Sequence, residues 1–309
     1  MQRNKNIRLL IALAMVLALI VLLPLLKNKG DGLSVDRKMF TLGNQTVITD
    51  VVLTTDSTQN KLSYVNGKWL VNGSYDLDLS MRDVFFSVLS QLEIRRPVAK
   101  SQMDSIALAI RSQGVEVSIL NNADTVKAYK VWGNKNDQSS YIMGSDGKPY
   151  LMHIPGYRSY VAGIFEVPES DWRTRRVFSA QFTNLNSLKL KYADGDSISF
   201  RYKDSFFEIE GMHADSTQLI TSLENLLFLQ TDQYLLPSEM HNYVDPNFDP
   251  DKPMVWISAT KLAGTTENVR LYDTKPKKPF YLAITPDSSY CLFNKKRMER
   301  ILVKKKDFK

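Results

Sequence analysis

Trp69-Leu70-Val71, then Asp78, then Phe86, Leu89 and Leu92: the same order returns 137 positions later as Phe206-Phe207-Glu208, Asp215, Leu223, Leu226 and Leu229. Farther on, Val117 and Ile119 answer Val255 and Ile257 at an offset of 138. Val131-Trp132, Tyr141-Ile142 and Tyr150 answer Leu271-Tyr272, Tyr281-Leu282 and Tyr290 at 140. An offset that drifts so slowly describes one folding unit used twice, with short turn insertions between the copies. It sets module 1 at 40–176 and module 2 at 177–309. Each is near the commonest domain size, so each can bury a core of its own.

Within module 1, segments 47–53, 61–65 and 68–71 read as short strands, and Asn66-Gly67 is the strongest hairpin dipeptide. In module 2, Asp194-Gly195 and Lys203-Asp204 take the turns. Asp78 and Asp215 stand where a helix N-cap is wanted, because a carboxylate there accepts an orphan backbone N–H. After them the apolar period changes from strand-like to helix-like, which predicts helices over 78–93 and 215–230. Module 1 adds a predicted helix over 101–112, where Ser101 and Asp104 resemble a capping box and Gly114 a stop. Strands follow at 115–120, 126–132, 139–143 and 149–153, against 254–259, 267–272, 279–284 and 289–293, with closing helical segments near 157–165 and 294–303. Strand runs joined by hairpins favour antiparallel sheets with helices on one face. The expected class is α+β, an N-terminal transmembrane helix followed by two tandem antiparallel-sheet-plus-helix modules.

That transmembrane helix is read from Leu9 to Leu26, an 18-residue apolar run interrupted only by Pro24 and preceded by Arg3, Lys5 and Arg8. As a helix it reaches roughly 27 Å, enough for a bilayer core. A cleavable signal peptide has the same basic start, but the run ends in Leu25-Leu26-Lys27-Asn28, without the small residues that cleavage needs. The expected layout is a cytoplasmic tail 1–8, an uncleaved anchor 9–26 contacting the lipid bilayer, a tether 27–39, and the modules outside the bacterial inner membrane, in the periplasm. Cys291, the one cysteine, forms no internal disulfide and fits either compartment.

Charge excludes a class of partner. The net charge is +7, yet residues 1–29 carry five basic residues and no acid, and residues 275–309 carry eleven basic and three acidic ones. The body between is therefore net −6. A membrane flank and a C-terminal patch are not a nucleic-acid groove, and no aromatic-interleaved basic stripe accompanies them. Lys295, Lys296, Arg297, Arg300, Lys304, Lys305 and Lys306 in that patch, with Ile301-Leu302-Val303 among them, form a candidate surface for a protein partner or an anionic leaflet.

Chemistry-bearing motifs are sparse. His153, His213 and His241 lack metal-ligand spacing, so no metal is expected. Asp245, Asn247, Asp249 and Asp251 alternate like a calcium loop, but Pro250 and Trp256 stand where an EF-hand needs Gly and Glu. No nucleophile elbow or phosphate loop occurs, and no cofactor or catalytic residue is expected. Asp171-Trp172-Arg173-Thr174-Arg175-Arg176 stands out at the junction of the modules. Trp172, Arg173, Arg175 and Arg176 read either as an inter-module clasp, with the arginines pairing acids of the body, or as contacts for an anionic ligand. Asp-Ser/Thr-apolar triplets such as Asp124-Thr125-Val126 resemble acceptors of a periplasmic O-glycosylation system, although turns and helix starts favour the same residues.

The Asn66-Gly67-Lys68-Trp69 turn, the Asp-x-Trp-Arg-x-Arg-Arg closure at 171–176 and the Pro-containing Tyr243–Pro253 segment together resemble the bacterial domain-of-unknown-function family 4340. The resemblance covers about 40–300; module 2 departs from it, with Phe206 in place of the tryptophan and no Trp-Arg closure. It implies a setting beside ABC-type or gliding-associated transport systems and carries over no catalytic residue. The expected function is thus a non-catalytic, membrane-anchored periplasmic accessory subunit of a membrane complex such as an ABC-type exporter. The alternative is a periplasmic glycan- or envelope-ligand-binding protein.

Overall fold

A computed structural model describes residues 13, 15–17, 35–43 and 45–308. Leu13 and residues 15–17 are helical. The tail 1–8, the rest of the anchor 9–26, and residues 27–34 of the tether lie outside the described residues. No helix among the described residues is long and apolar enough to cross a membrane. The remainder is two sheets with antiparallel pairing plus short helices, an α+β arrangement.

The described residues form two compact units, one running up to Gln59 and including Phe85–Glu166, the other made of Asn60–Val84 and the chain from Val167 onward. The first unit holds β1 (Asp50–Thr54), β5 (Glu93–Pro97), β6 (Val115–Asn121), β7 (Asp124–Asn134), β8 (Ser139–Met143) and β9 (Pro149–His153), side by side in the order β1-β6-β7-β8-β9-β5. Alternation makes these strands: Val115, Val117 and Ile119 are buried while Glu116 is exposed. Helix α1 (Leu79–Gln91) contributes Phe85 and Leu89 to this core. Phe85 meets Phe165 edge-on at 5.7 Å, and Phe165 meets Tyr129 at 6.5 Å. Helix α2 (Met103–Gln113) buries Ala107 and Ile110. It starts from a 3-10 turn, Lys100–Gln102, and its N-cap Gln102 makes no side-chain cap bond, so the Ser101–Asp104 capping box does not form.

The second unit contains the meander β2 (Gln59–Val65), β3 (Lys68–Val71) and β4 (Tyr75–Asp76). It also contains β10 (Leu185–Tyr192), β11 (Ser197–Lys203), β12 (Phe206–Ile209), β13 (Gln233–Leu235), β14 (Val255–Lys261), β15 (Thr266–Tyr272), β16 (Phe280–Ile284) and β17 (Tyr290–Asn294). These eight are ordered β12-β11-β10-β14-β15-β16-β17-β13. The six-strand order β10-β14-β15-β16-β17-β13 is that of β1-β6-β7-β8-β9-β5 strand for strand, and each set includes an edge strand (β5, β13) absent from the sequence reading. Three- to five-residue edge strands carry too little periodicity to be read.

Helix α4 (Ser216–Leu227) starts at Asp215, whose carboxylate accepts from Gln218 N at 2.9 Å, as Asp78 accepts from Met81 N at 2.9 Å. Its Leu219, Leu223, Leu226 and Leu227 join one core with Leu188, Leu190, Ile198, Phe200, Ile257 and Phe293. Each fully buried leucine contributes roughly 1.5–3 kcal/mol. The Pro-rich segment packs instead on a second cluster around Tyr272, Leu282 and Leu292 through Met240, Tyr243, Val244 and Phe248. Helix α5 (Lys295–Ile301) closes with Met298 buried.

The ladders revise the offsets read from sequence. Tyr64 pairs with Trp69 and Tyr202 with Phe207, around turns with positive φ at Asn66-Gly67 and Asp204-Ser205. The counterpart of Trp69 is therefore Phe207, not Phe206, which is 74% exposed. Rings confirm the match: Tyr64–Trp69 at 5.7 Å and Tyr202–Phe207 at 5.2 Å, both tilted. Likewise Val115 faces Val131 while Val255 faces Leu271, so Val255 answers Val115, two residues before Val117. A slip of two leaves the same face buried, so an apolar pattern cannot register it.

Candidate functional site

The segment after α3 (Glu169–Trp172) cannot stay helical, because Arg173 already has extended dihedrals. It becomes a strand-like connector bonded on both sides, all within the second unit. Asp78 N donates to Trp172 O at 2.9 Å and Thr174 N to Asp76 O at 2.8 Å; opposite, Thr231 N donates to Arg175 O at 2.8 Å and Val177 N to Leu229 O at 3.1 Å. Successive side chains thereby point to different environments. Trp172 is fully buried, and its indole N–H donates to Val167 O at 3.1 Å, so it offers a ligand no surface. Arg175 is exposed, Arg176 half-buried and Arg173 only 7% exposed.

Arg173 organises the site. Its guanidinium lies between two rings, 3.4 Å from the centroid of Tyr75 and 4.0 Å from that of Tyr234. Nη2 donates to Asp287 Oδ2 at 2.9 Å and to Ser289 Oγ at 2.8 Å. A desolvated cation on an aromatic face gains about 2 kcal/mol, which together with the ion pair offsets the cost of burying this charge. Tyr234 is held in turn by its hydroxyl donating to Thr174 O at 2.9 Å, and burial pushes that hydroxyl above the usual tyrosine range. Arg176 Nη2 donates to Ala180 O at 3.1 Å and its guanidinium sits 4.5 Å from the Phe228 ring. No carboxylate pairs with Arg176 among the described residues, and the Nε atoms of both Arg173 and Arg176 are buried without a partner.

These two arginines line a cleft of about 520 Å³ with Lys68, Trp69, Tyr75, Tyr234, Glu267 and Asp287 among its walls. Lys68 pairs with Asp76 at 2.5 Å. Glu267 accepts from Lys261 at 2.8 Å, from Ser179 N at 2.9 Å and from the Ser179 hydroxyl. Burial acts to raise the Glu267 carboxyl, but the bonds from Lys261 and Ser179 outweigh it and hold the group below its usual range. Ser179 also accepts from Lys261 at 2.6 Å, so its hydroxyl belongs to a closed ion-pair network. Asp287, Tyr75, Tyr234 and Glu267 left no sequence signal as site residues; Asp287 lies in Pro286-Asp287-Ser288, which reads as a turn.

The C-terminal cations divide. Lys295 pairs with Asp273 at 2.6 Å, Arg297 with Asp232 at 2.9 Å, and Lys304 with Asp194 at 2.6 Å while lying 4.7 Å from the Tyr192 ring centroid. Lys296, Arg300, Lys305 and Lys306 are exposed. Arg297 and Arg300 border a smaller depression of about 360 Å³ beside Phe228. Cys291 is buried, and burial pushes its thiol up to about 12. His213 and His241 are exposed, and no group of three or more His, Cys, Asp or Glu among the described residues is placed to hold a metal. Asp249 accepts from Asp251 N at 2.9 Å within its own loop.

Comparison with protein-family models, curated proteins and solved structures finds no match for the chain.

Proposed function

We propose that the chain is a non-catalytic, single-pass, membrane-anchored module of the bacterial periplasm that serves as an accessory subunit of a membrane complex. The ABC-type exporter setting comes from the resemblance to the domain-of-unknown-function family. The folded part is a duplicated α+β unit, a reading supported by the shared strand order and the matched hairpins. One observation carries the interaction role: the charged side chains divide into two groups. Arg173, Lys261, Arg297 and Lys304 are tied to Asp287, Glu267, Asp232 and Asp194, whereas Lys296, Arg300, Lys305 and Lys306 are each exposed. Internal pairs hold architecture, and an exposed basic group steers association with an acidic surface. In-cell crosslinking, detergent extraction and mass spectrometry are the test. Reproducible crosslinks from the 296–306 region to integral membrane subunits of a transport complex are expected. Recovery of this chain alone, repeatedly, overturns the reading.

The second reading, a glycan- or envelope-ligand-binding protein, is favoured by the aromatic and cationic lining of the 520 Å³ cleft. Because Trp172 is buried, the variant that probes it is Trp69→Ala. Loss of binding to isolated envelope polymers with an unchanged melting curve is the expected result on this reading, and unchanged binding rejects it.

A further inference from the structure

We infer that the cleft bordered by Arg173 and Arg176 is an oxyanion-binding site, taking a small ligand that carries a carboxylate or phosphoryl group. This goes beyond the accessory-subunit reading and does not rest on it.

Charge pairing inside the cleft is the first ground. Lys68 is matched by Asp76 and Arg173 by Asp287, but Arg176 has only a carbonyl and a ring face among the described residues. A half-buried guanidinium without a counter-ion is costly unless something else neutralises it. Hydrogen-bond capacity is the second. Arg173 is more than nine-tenths buried, and its Nε, like that of Arg176, has no partner. Those two Nε atoms are enclosed by protein and out of a ligand's reach, and Arg173 is already taken up by Asp287 and Ser289. The open capacity is therefore that of half-buried Arg176 at the cleft wall, whose planar guanidinium fork suits carboxylate and phosphoryl oxygens. The third is shape: about 520 Å³ is ample for such a ligand, and Trp69 and Tyr75 offer apolar wall for its body. Asp287 tunes the site, since it already occupies one edge of Arg173 and lowers the positive potential an incoming anion meets.

Calorimetric titration of the full chain in detergent, with glucuronate, glycerol phosphate and inorganic phosphate, tests the inference, with glucose and glycerol as neutral controls. Saturable binding of at least one oxyanion and of neither control is expected; preference for glucuronate identifies an acidic sugar as the source, and preference for glycerol phosphate a phosphate ester. Arg176→Gln should weaken that binding by about tenfold or more, the loss of a charge-assisted contact. Asp287→Asn should instead tighten it, a gain that a damaged fold does not produce. If Arg176→Gln fails to fold, Arg176→Lys keeps the charge without the fork and should weaken binding by a smaller factor. Absence of saturable binding by all three oxyanions overturns the proposal, as does unchanged affinity in a folded Arg176 variant.

Discussion

Arg173 shows how little a residue's type says about its task. Read from sequence, the arginines of 171–176 either pair acids of the body or contact an anionic ligand; Arg173 is enclosed by Tyr75 and Tyr234 and paired with Asp287, while neighbouring Arg175 is exposed. Cys291 is the converse case. It falls in the strand expected over 289–293, and it is fully buried with its thiol pushed up to about 12. The thiolate is the reactive form, so native protein should resist alkylation at pH 8 and label stoichiometrically only in denaturant, as read by mass spectrometry. Glu267 supplies a pH-dependent prediction. Its folded carboxyl lies below the ordinary 4.5, so its contribution to stability is present above that value and is lost as pH falls through the folded one. Glu267→Gln should cost about 1–2 kcal/mol at pH 7. The gap in melting temperature between the two proteins should close on acidification below about pH 4.

At the scale of elements, the paired hairpins offer a controlled comparison. Asn66-Gly67 and Asp204-Ser205 fill equivalent turns with φ of 51° and 84° against 48° and 73°. Both central positions need the left-handed region, which glycine enters freely and serine does not. Ser205→Gly should therefore stabilise the protein by about 0.5–1 kcal/mol. Gly67→Ala should destabilise it by about 1–2 kcal/mol although nothing lies within 4 Å of the added methyl group, so the whole cost is conformational. Denaturant midpoints measure both. The helix starts at Asp78 and Asp215 were legible because a cap is local chemistry, whereas β5, β13 and the true register were not. Pairing partners lie far apart in sequence; the two-residue slip at Val255 changes no local pattern, and the one-residue slip at the hairpin is hidden because Phe206 and Phe207 are both aromatic.

For the whole molecule, segregated charge is the property with consequences. The acidic body of 30–274 meets part of the basic C-terminus through Asp194, Asp232 and Asp273, which fixes Lys304, Arg297 and Lys295. The exposed Lys296, Arg300, Lys305 and Lys306 make no ion pair among the described residues, so replacing all four by glutamine should shift the melting temperature by less than about 2 °C. The same variant should lose the crosslinks expected to a membrane complex, and in the unaltered protein those crosslinks should fall off between low and physiological salt.

Turn dipeptides, caps and apolar periods are properties of neighbouring residues, so the chain order alone determined the α+β class, the position of most strands and helices, and the recurrence of one plan. Tertiary structure alone decided which strands stand side by side, that Phe207 rather than Phe206 answers Trp69, and that Arg173 meets an acid 114 residues away. Sequence periodicity records which face of an element avoids water, but the partner of a buried charge is selected by geometry that exists only once the sheets are assembled.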